Sequence, residues 1–338
     1  MALRYASPAP TSDDSPDLAG TEAVRVPGRR ADLNNEPVLS RNRSRHDGPW
    51  RRWRHRLAVP IVSAGRELAL LARRAAGHRG RAPDFLIIGA QKAATTSLYA
   101  YLCQHPQVQA ALTKEIHYFD HYLPRGFDWY CRHFPANGKT PEGLPLITGE
   151  ASPYYLVHPA VPDRVQEALP GVRLIVLLRD PVARAISHYE HEFRRGFERL
   201  PFLEALEAEE RRIAGEAERL VQEPAYRSYA FEHHTYKTRG RYAEQLSRWI
   251  PRFGRERMLV LQMEELESTP GIVLGRVAAF LGIEPWSPDT TARHNPGSYG
   301  RVPSDALGLL RAYFEPLQGE LAALLQDESW HARSAERA

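Results

Sequence analysis

Residues 84 to 102 read DFLIIGAQKAATTSLYAYL, and the reading of this stretch decides the fold. A short apolar run, Phe85 to Ile88, meets Gly89, then small and hydroxylated residues carrying one lysine, Lys92, then an apolar-periodic segment from Leu98. The pattern predicts a strand, a tight loop and the start of a helix. The first turn of a helix leaves backbone N–H groups unpaired and carries about half a positive charge, so such a loop suits a phosphate. Lys92 adds a point charge, and the hydroxyls of Thr95, Thr96 and Ser97 add donors. A strand and small-residue turn of this kind also occurs in α/β proteins that hold no ligand there. The ATP/GTP loop G-x-x-x-x-G-K-[ST] is absent, because Gly89 stands alone and no second glycine precedes Lys92. An ordinary P-loop kinase or ATPase is therefore disfavoured. A kinase-like or non-catalytic P-loop-like nucleotide-binding protein stands as the alternative reading.

Further along, residues 172 to 193 read VRLIVLLRDPVARAISHYEHEF. Leu174 to Leu178 is continuously apolar, as expected of a parallel strand buried on both faces. Arg179 follows directly, Asp180 is placed to cap a helix and Pro181 to occupy its first position. An arginine at a strand end, with Ser187 on the next helix, can hold an anionic group by charge-assisted hydrogen bonds, or the Arg-Asp pair can be a structural clamp. Between the two stretches, TKEIHYFD at 113 to 120 brings Lys114, Glu115 and His117 together beside aromatic residues. If that piece is extended, Glu115 and His117 project to one side and Lys114 to the other. A carboxylate beside an imidazole can serve as a general base, and it can equally be a surface ion pair. GEASPYYL at 149 to 156 reads as a strand end followed by a turn and an aromatic pair that lines a pocket or caps the sheet.

The remaining pattern extends a doubly wound sheet. FLEALEAEERRIAGEAERL, from Phe202, gives the clearest helical repeat in a highly charged region. YAFEHHTYKTRGRY, from Tyr229, is dense in His, Tyr, Lys and Arg, and its His234, Lys237 and Arg239, with Tyr154, are candidates for contact with a polar substrate. From Tyr242 a helix, a strand (MLVLQMEEL) and a helix stopping at Gly282 follow, then a Gly/Pro/Asn loop with Arg293 and Arg301 and a C-terminal amphipathic helix.

At 338 residues, 43% hydrophobic and 25% charged, the chain has the composition of a globular protein. Its two cysteines, Cys103 and Cys131, have no metal-ligand spacing, and free thiols are expected. Residues 1 to 82 hold 16 Arg and 8 acidic residues, net +8, whereas the rest hold 29 Lys+Arg and 33 Asp+Glu, net −4. The basicity thus belongs to an N-terminal arm, residues 1 to 80, read as disordered up to about residue 50 and partly helical around Arg66 to Ala76. No nucleic-acid partner is expected, and the arm can contact an acidic membrane surface peripherally. No apolar run approaches the ~20 residues that span a bilayer.

Together QKAATTSL at 91 to 98, TKEIHYFD, GEASPYYL, LLRDPVARAISHY at 177 to 189 and YGRV at 299 to 302 resemble the PAPS-dependent sulfotransferases, most closely the heparan-sulfate-type branch and its bacterial relatives. The resemblance covers about residues 83 to 335. It implies a P-loop-like three-layer α/β/α fold with a central, mainly parallel sheet, and transfer of a sulfuryl group from PAPS to a hydroxyl or amine, giving PAP. It implies, further, that Lys92, Ala93, Ala94, Thr95, Thr96 and Ser97 hold the 5′-phosphosulfate, that Arg179 and Ser187 hold the 3′-phosphate, and that Gly300 and Arg301 cover the nucleotide. Glu115 matches the general base and His117 its orienting neighbour, with Lys114 touching cofactor or substrate; no metal is required. Two departures stand out. Alanines 93 and 94 replace glycines, limiting positive φ, and Ala151 replaces a lysine. With neither the disulfide nor the membrane anchor of secretory relatives, the resemblance implies cytoplasmic work on a carbohydrate or glycolipid.

Overall fold

The computed structural model describes residues 65–290 and 302–326. Five parallel strands form its centre: β1 (Phe85–Gly89), β2 (Val108–Ala110), β3 (Ile147–Ala151), β4 (Arg173–Leu178) and β5 (Met258–Gln262), in the order β2-β3-β1-β4-β5. The expected runs become strands because every residue of β1, and all but the first of β4, is buried. A strand covered on both faces needs a continuous apolar run, not an alternating one. Phe85 pairs with Gly149 on one side and Arg173 on the other, so β1 is central. Gly149 is required there: a Cβ would come within 2.4 Å of the Phe85 carbonyl oxygen.

Helices connect and flank the strands: α1 (65–75), α2 (Thr95–Leu102), α3 (Phe127–Cys131), α4 (Val161–Ala168), α5 (Pro181–Arg195) and α6 (Phe202–Ile213). They continue with α7 (Glu216–Gln222), α8 (Tyr229–His233), α9 (Tyr242–Phe253), α10 (Met263–Ser268), α11 (Pro270–Leu281) and α12 (Ser304–Leu325). The main core surrounds the sheet, and a second cluster joins α5, α6 and α12 through Ile186, Leu206, Leu310 and Phe314. From β1 the chain first builds one side of the sheet with β2 and β3, then crosses to build the other with β4 and β5. In such a sheet the crevice for a ligand opens at the carboxyl ends of the strands flanking the reversal, here β1 and β4.

Several local expectations hold in detail. Asp180 caps α5, its Oδ1 accepting from the Ala183 N–H at 2.7 Å, and Pro181 opens the helix. Gly282 ends α11 in the left-handed conformation. Two expectations need correction. The helical repeat from Phe202 breaks into α6 and α7 around Gly215, whose φ of 75° no helix interior adopts. MLVLQMEEL is not one strand: β5 pairs with β4 only as far as Gln262, and Met263 begins α10. Cys103 and Cys131 are free. Residues 1 to 64, Arg293, Gly300 and Arg301 lie outside the described residues.

Candidate active site

The loop after β1 sits at the crevice. Helix α2 begins at Thr95 with no side chain capping it, so its first-turn N–H groups are left for something other than a cap. Contrary to the expectation for Ala93 and Ala94, lack of glycine does not keep this loop out of positive φ. Lys92 adopts φ 72° and Ala94 φ 57°, while Ala93 is buried in the core. Each left-handed non-glycine residue costs roughly 1–2 kcal/mol, and such strain concentrates at functional loops. The Arg179 Nη1 donates to the Lys92 carbonyl at 3.2 Å, so the end of β4 is tied to the loop after β1. Thr95 and Ser97 are buried on the first turn of α2, with Thr96 half-buried between them. Ser187 is buried on α5, eight residues beyond Arg179.

The electrostatics of this corner are strongly positive. Burial pushes the Lys92 amine down to about 8, aided by Arg194, Arg179 and Arg195 and opposed by Glu192. Glu192 is buried, with His233 Nδ1 at 2.8 Å, His188 Nε2 at 3.7 Å and His191 Nε2 at 4.0 Å. A lysine whose own surroundings disfavour its charge marks a site that an anion would stabilise.

The second half of the site is the segment from Thr113 to Asp120, and it is not extended. Glu115 and His117 both have left-handed backbones, φ 59° and 58°. Lys114 therefore does not face away: its Nζ reaches Glu115 Oε1 at 2.5 Å. His117 Nε2 lies 3.8 Å from Glu115 Oε2, and its Nδ1 lies 2.6 Å from Asp120 Oδ2. Burial raises the Glu115 carboxyl, but His117 and the Lys114 ammonium outweigh it and hold the group down to about 2. Burial lowers the His117 imidazole, but Asp120 and then Glu115 outweigh that and push it up to about 10. The resting state is a chain of alternating charge from Lys114 through Glu115 and His117 to Asp120.

What forces the chain into this shape is Glu150, at the end of β3 and fully buried. Its carboxyl accepts from Tyr130 (2.7 Å), Tyr155 (3.0 Å), Ser152 (2.7 Å) and the Ile116 N–H (3.2 Å). The Tyr155 hydroxyl in turn accepts from the Tyr118 N–H at 3.0 Å. Burial raises the Glu150 carboxyl against these donors. Asp120 and Glu150 escaped the sequence reading. The available signals were the His-x-x-Asp spacing and an acid in an otherwise apolar strand.

Among the described residues, His117, Asp120 and His121 are the grouping whose possible metal-ligand atoms all lie within 4.8 Å of one another. The two rings stack at 17° with centroids 4.7 Å apart. Tetrahedral zinc wants donors converging at about 2 Å from one point. Within the grouping, His117 Nδ1 lies 2.6 Å from Asp120 Oδ2, while His121 Nε2 faces Glu232 Oε1 at 2.8 Å.

The remaining candidates are engaged with the protein. Arg239 is buried, donating to Gln91 Oε1, to Thr235 Oγ1 at 2.7 Å and to the carbonyls of Phe231 and Glu232, with its guanidinium 4.9 Å from the Tyr154 ring centroid. Through Gln91 it braces the loop before Lys92. Lys237 pairs with Glu210 at 3.2 Å, His234 Nε2 contacts the Phe197 carbonyl at 3.1 Å, and the buried Tyr154 hydroxyl has no hydrogen-bond partner among the described residues.

A parallel α/β sheet with a lysine-bearing loop after β1, tied to an arginine after β4, defines a P-loop-like fold. The family description "Sulfotransferase domain" matches residues 82–294, more than half of the chain, and the chain belongs to that family. A solved sulfotransferase from Alicyclobacillus acidocaldarius is 32% identical, covering 74% of this chain and 99% of its own, with a TM-score of 0.58. Human heparan sulfate glucosamine 3-O-sulfotransferase 6 is 33% identical over 61% of this chain and 54% of its own length. The membrane-associated sulfotransferase kil1 of Dictyostelium discoideum is 43% identical over 32% of this chain and 22% of its own. The chain thus spans about half the length, or less, of these curated relatives.

Proposed function

We propose that this protein transfers the sulfuryl group of PAPS to a hydroxyl or amine of a carbohydrate or glycolipid, releasing PAP and a sulfated product. The observation that carries the reading is the tie between Arg179 and the Lys92 carbonyl, which sets two cations and the uncapped first turn of α2 around one crevice. The donor set fits a nucleotide with phosphate groups at two positions. Lys92, the backbone of residues 93 to 97 and the hydroxyls there would hold the 5′ end; Arg179 and Ser187 would hold the 3′-phosphate. When bound, PAPS supplies a sulfuryl group whose bond to the phosphate oxygen breaks as the bond to the acceptor forms.

The chain's own part is positioning and charge. Glu115 takes the acceptor's proton, held by His117, which Asp120 fixes in turn. Lys92, protonated, offsets the negative charge that grows on the departing phosphate oxygen. Groups of this kind act by being already oriented before reaction, and removing one costs on the order of 10²–10³ in rate. Lys114 leaves Glu115 as the acceptor arrives and meets an anionic group on it or on the nucleotide. The glycan reading is supported by the heparan sulfate relatives, and the two free thiols fit a reducing, cytoplasmic location.

The test is a PAPS-dependent screen with labelled sulfate over defined glycans, glycolipids and phenols, with product mass. Sulfated product that disappears in Lys92→Ala and Glu115→Gln is expected. ATP consumption with no PAPS dependence would overturn the reading in favour of a kinase-like enzyme.

A further inference from the structure

Helix α1 is packed the wrong way round for an ordinary surface helix. Its inward side places Leu70, 3% exposed, on the core and turns two of its three arginines, Arg66 and Arg73, toward the protein. Arg73 Nη1 donates to the Arg132 carbonyl at 2.8 Å, and the Arg66 guanidinium lies 5.2 and 5.8 Å from the ring centroids of Tyr122 and Trp129. Its outward side carries Leu68 and Leu71, 67% and 58% exposed and three residues apart, so they share a face. Ala72, Ala75 and Ala76 are exposed alongside, with Arg74. A water-facing helix normally turns its charges out and its leucines in.

The charge around this face says what it meets. Residues 50 to 82 contain nine arginines and one acidic residue, Glu67, and Trp50 and Trp53 are interleaved with Arg51, Arg52, Arg54 and Arg56. Leucines directed outward beside a sequence of arginine and tryptophan have the chemistry of an element that lies in a headgroup layer. The apolar side chains enter, the guanidinium groups meet lipid phosphates, and the indoles sit at the boundary. Beyond residue 82 the chain is net −4, so an acidic surface attracts this end and repels the rest. No described helix is long and apolar enough to cross a membrane.

We propose that the outward face of α1, with the arginine and tryptophan residues that precede it, docks the protein on an anionic bilayer surface. The proposal does not depend on the reaction assigned above. It bears on that reaction through position: α1 rests on Tyr122, Trp129 and Arg132, in the segment that continues directly from the loop bearing Glu115 and His117.

The experiment is co-sedimentation of the full chain with vesicles of phosphatidylcholine alone and of phosphatidylcholine with phosphatidylglycerol. Binding is expected only with phosphatidylglycerol, weakening as salt rises. Leu68→Glu/Leu71→Glu should weaken it by on the order of tenfold or more, with an unchanged circular dichroism spectrum and melting midpoint because both side chains are exposed. Arg51, Arg52, Arg54 and Arg56 changed together to glutamine should weaken it as well. Equal binding to both vesicle types, or undiminished binding by the leucine variant, would overturn the proposal. So would a dimer without vesicles that the leucine variant converts to monomer, since the face would then belong to a second copy.

Discussion

At the scale of single residues, the site is governed by two groups held away from their ordinary protonation equilibria. In the proposed reaction Lys92 acts as a cation, and its pKa is brought down to about 8 by burial and then by Arg194 and Arg179. Its ammonium is therefore present below that value and lost as pH rises through it. The kcat/KM for PAPS, which reports the free enzyme, should fall above about pH 8. Lys92→Ala should lower it by on the order of 10²–10³; steady-state rates from pH 6 to 10 check both, and a flat alkaline limb in the parent enzyme would remove Lys92 from the role. Glu115 is bound by the opposite logic. Lys114 is one of the two groups holding it down to about 2, so Lys114→Ala should raise it and move the acidic limb of the profile upward. An acidic limb that does not move would show that the pair breaks before the group titrates.

The elements supply what the residues cannot supply for themselves. Glu150 fastens a strand end to a loop through the Ile116 N–H and, by way of the Tyr155 hydroxyl, the Tyr118 N–H. Removing one such donor leaves buried polar groups unpaired, at a cost of about 1–3 kcal/mol. Tyr155→Phe should therefore lower stability by that amount in urea unfolding and also reduce turnover, because the left-handed Glu115 backbone loses its support. A full loss of stability with unchanged turnover would separate the network from the base. Between β1 and β3 the constraint is space. Gly149→Ala puts a methyl group 2.4 Å from the Phe85 carbonyl oxygen and should destabilise the sheet by about 1–3 kcal/mol or more, read as a lower urea midpoint.

Over the whole molecule, histidines tie stability to acid. Burial pushes His158 down to about 3 and His133 down to about 4, and lowers His188 well below its ordinary value; His191 falls to about 4. As pH drops below about 6.5 the unfolded chain takes up these protons and the folded chain does not, so stability falls. His117 has the reverse sign: its contribution is complete below 6.5 and is lost as pH rises through about 10. Between pH 6.5 and 5 His117 therefore adds no slope; the depressed histidines lower stability as pH falls, opposed by the raised carboxyls of Glu150 and Glu209. The urea midpoint should be lower at pH 5 than at 6.5, and equal midpoints would contradict neutral burial of these rings.

Much of this protein was legible along the chain. The apolar runs Phe85 to Ile88 and Leu174 to Leu178, each ending in Gly or Arg and followed by a helix start, determine a parallel sheet because strands buried on both faces cannot alternate. The same local rules gave the Asp180 cap, the Gly282 stop and the lysine-bearing loop between β1 and α2. Only the tertiary structure decided how the segment bearing Glu115 is shaped. A local reading takes KEIHYFD as extended and turns Lys114 away. A carboxyl 34 residues distant draws in the Ile116 N–H, and Glu115 and His117 adopt left-handed backbones that bring Lys114 onto the base. The same holds for Ala94, packed against the core in a left-handed backbone that the residue alone avoids, and for α1, whose Leu68 and Leu71 point outward. Periodicity finds a helical face, but which side is covered is settled by what the folded chain places against it.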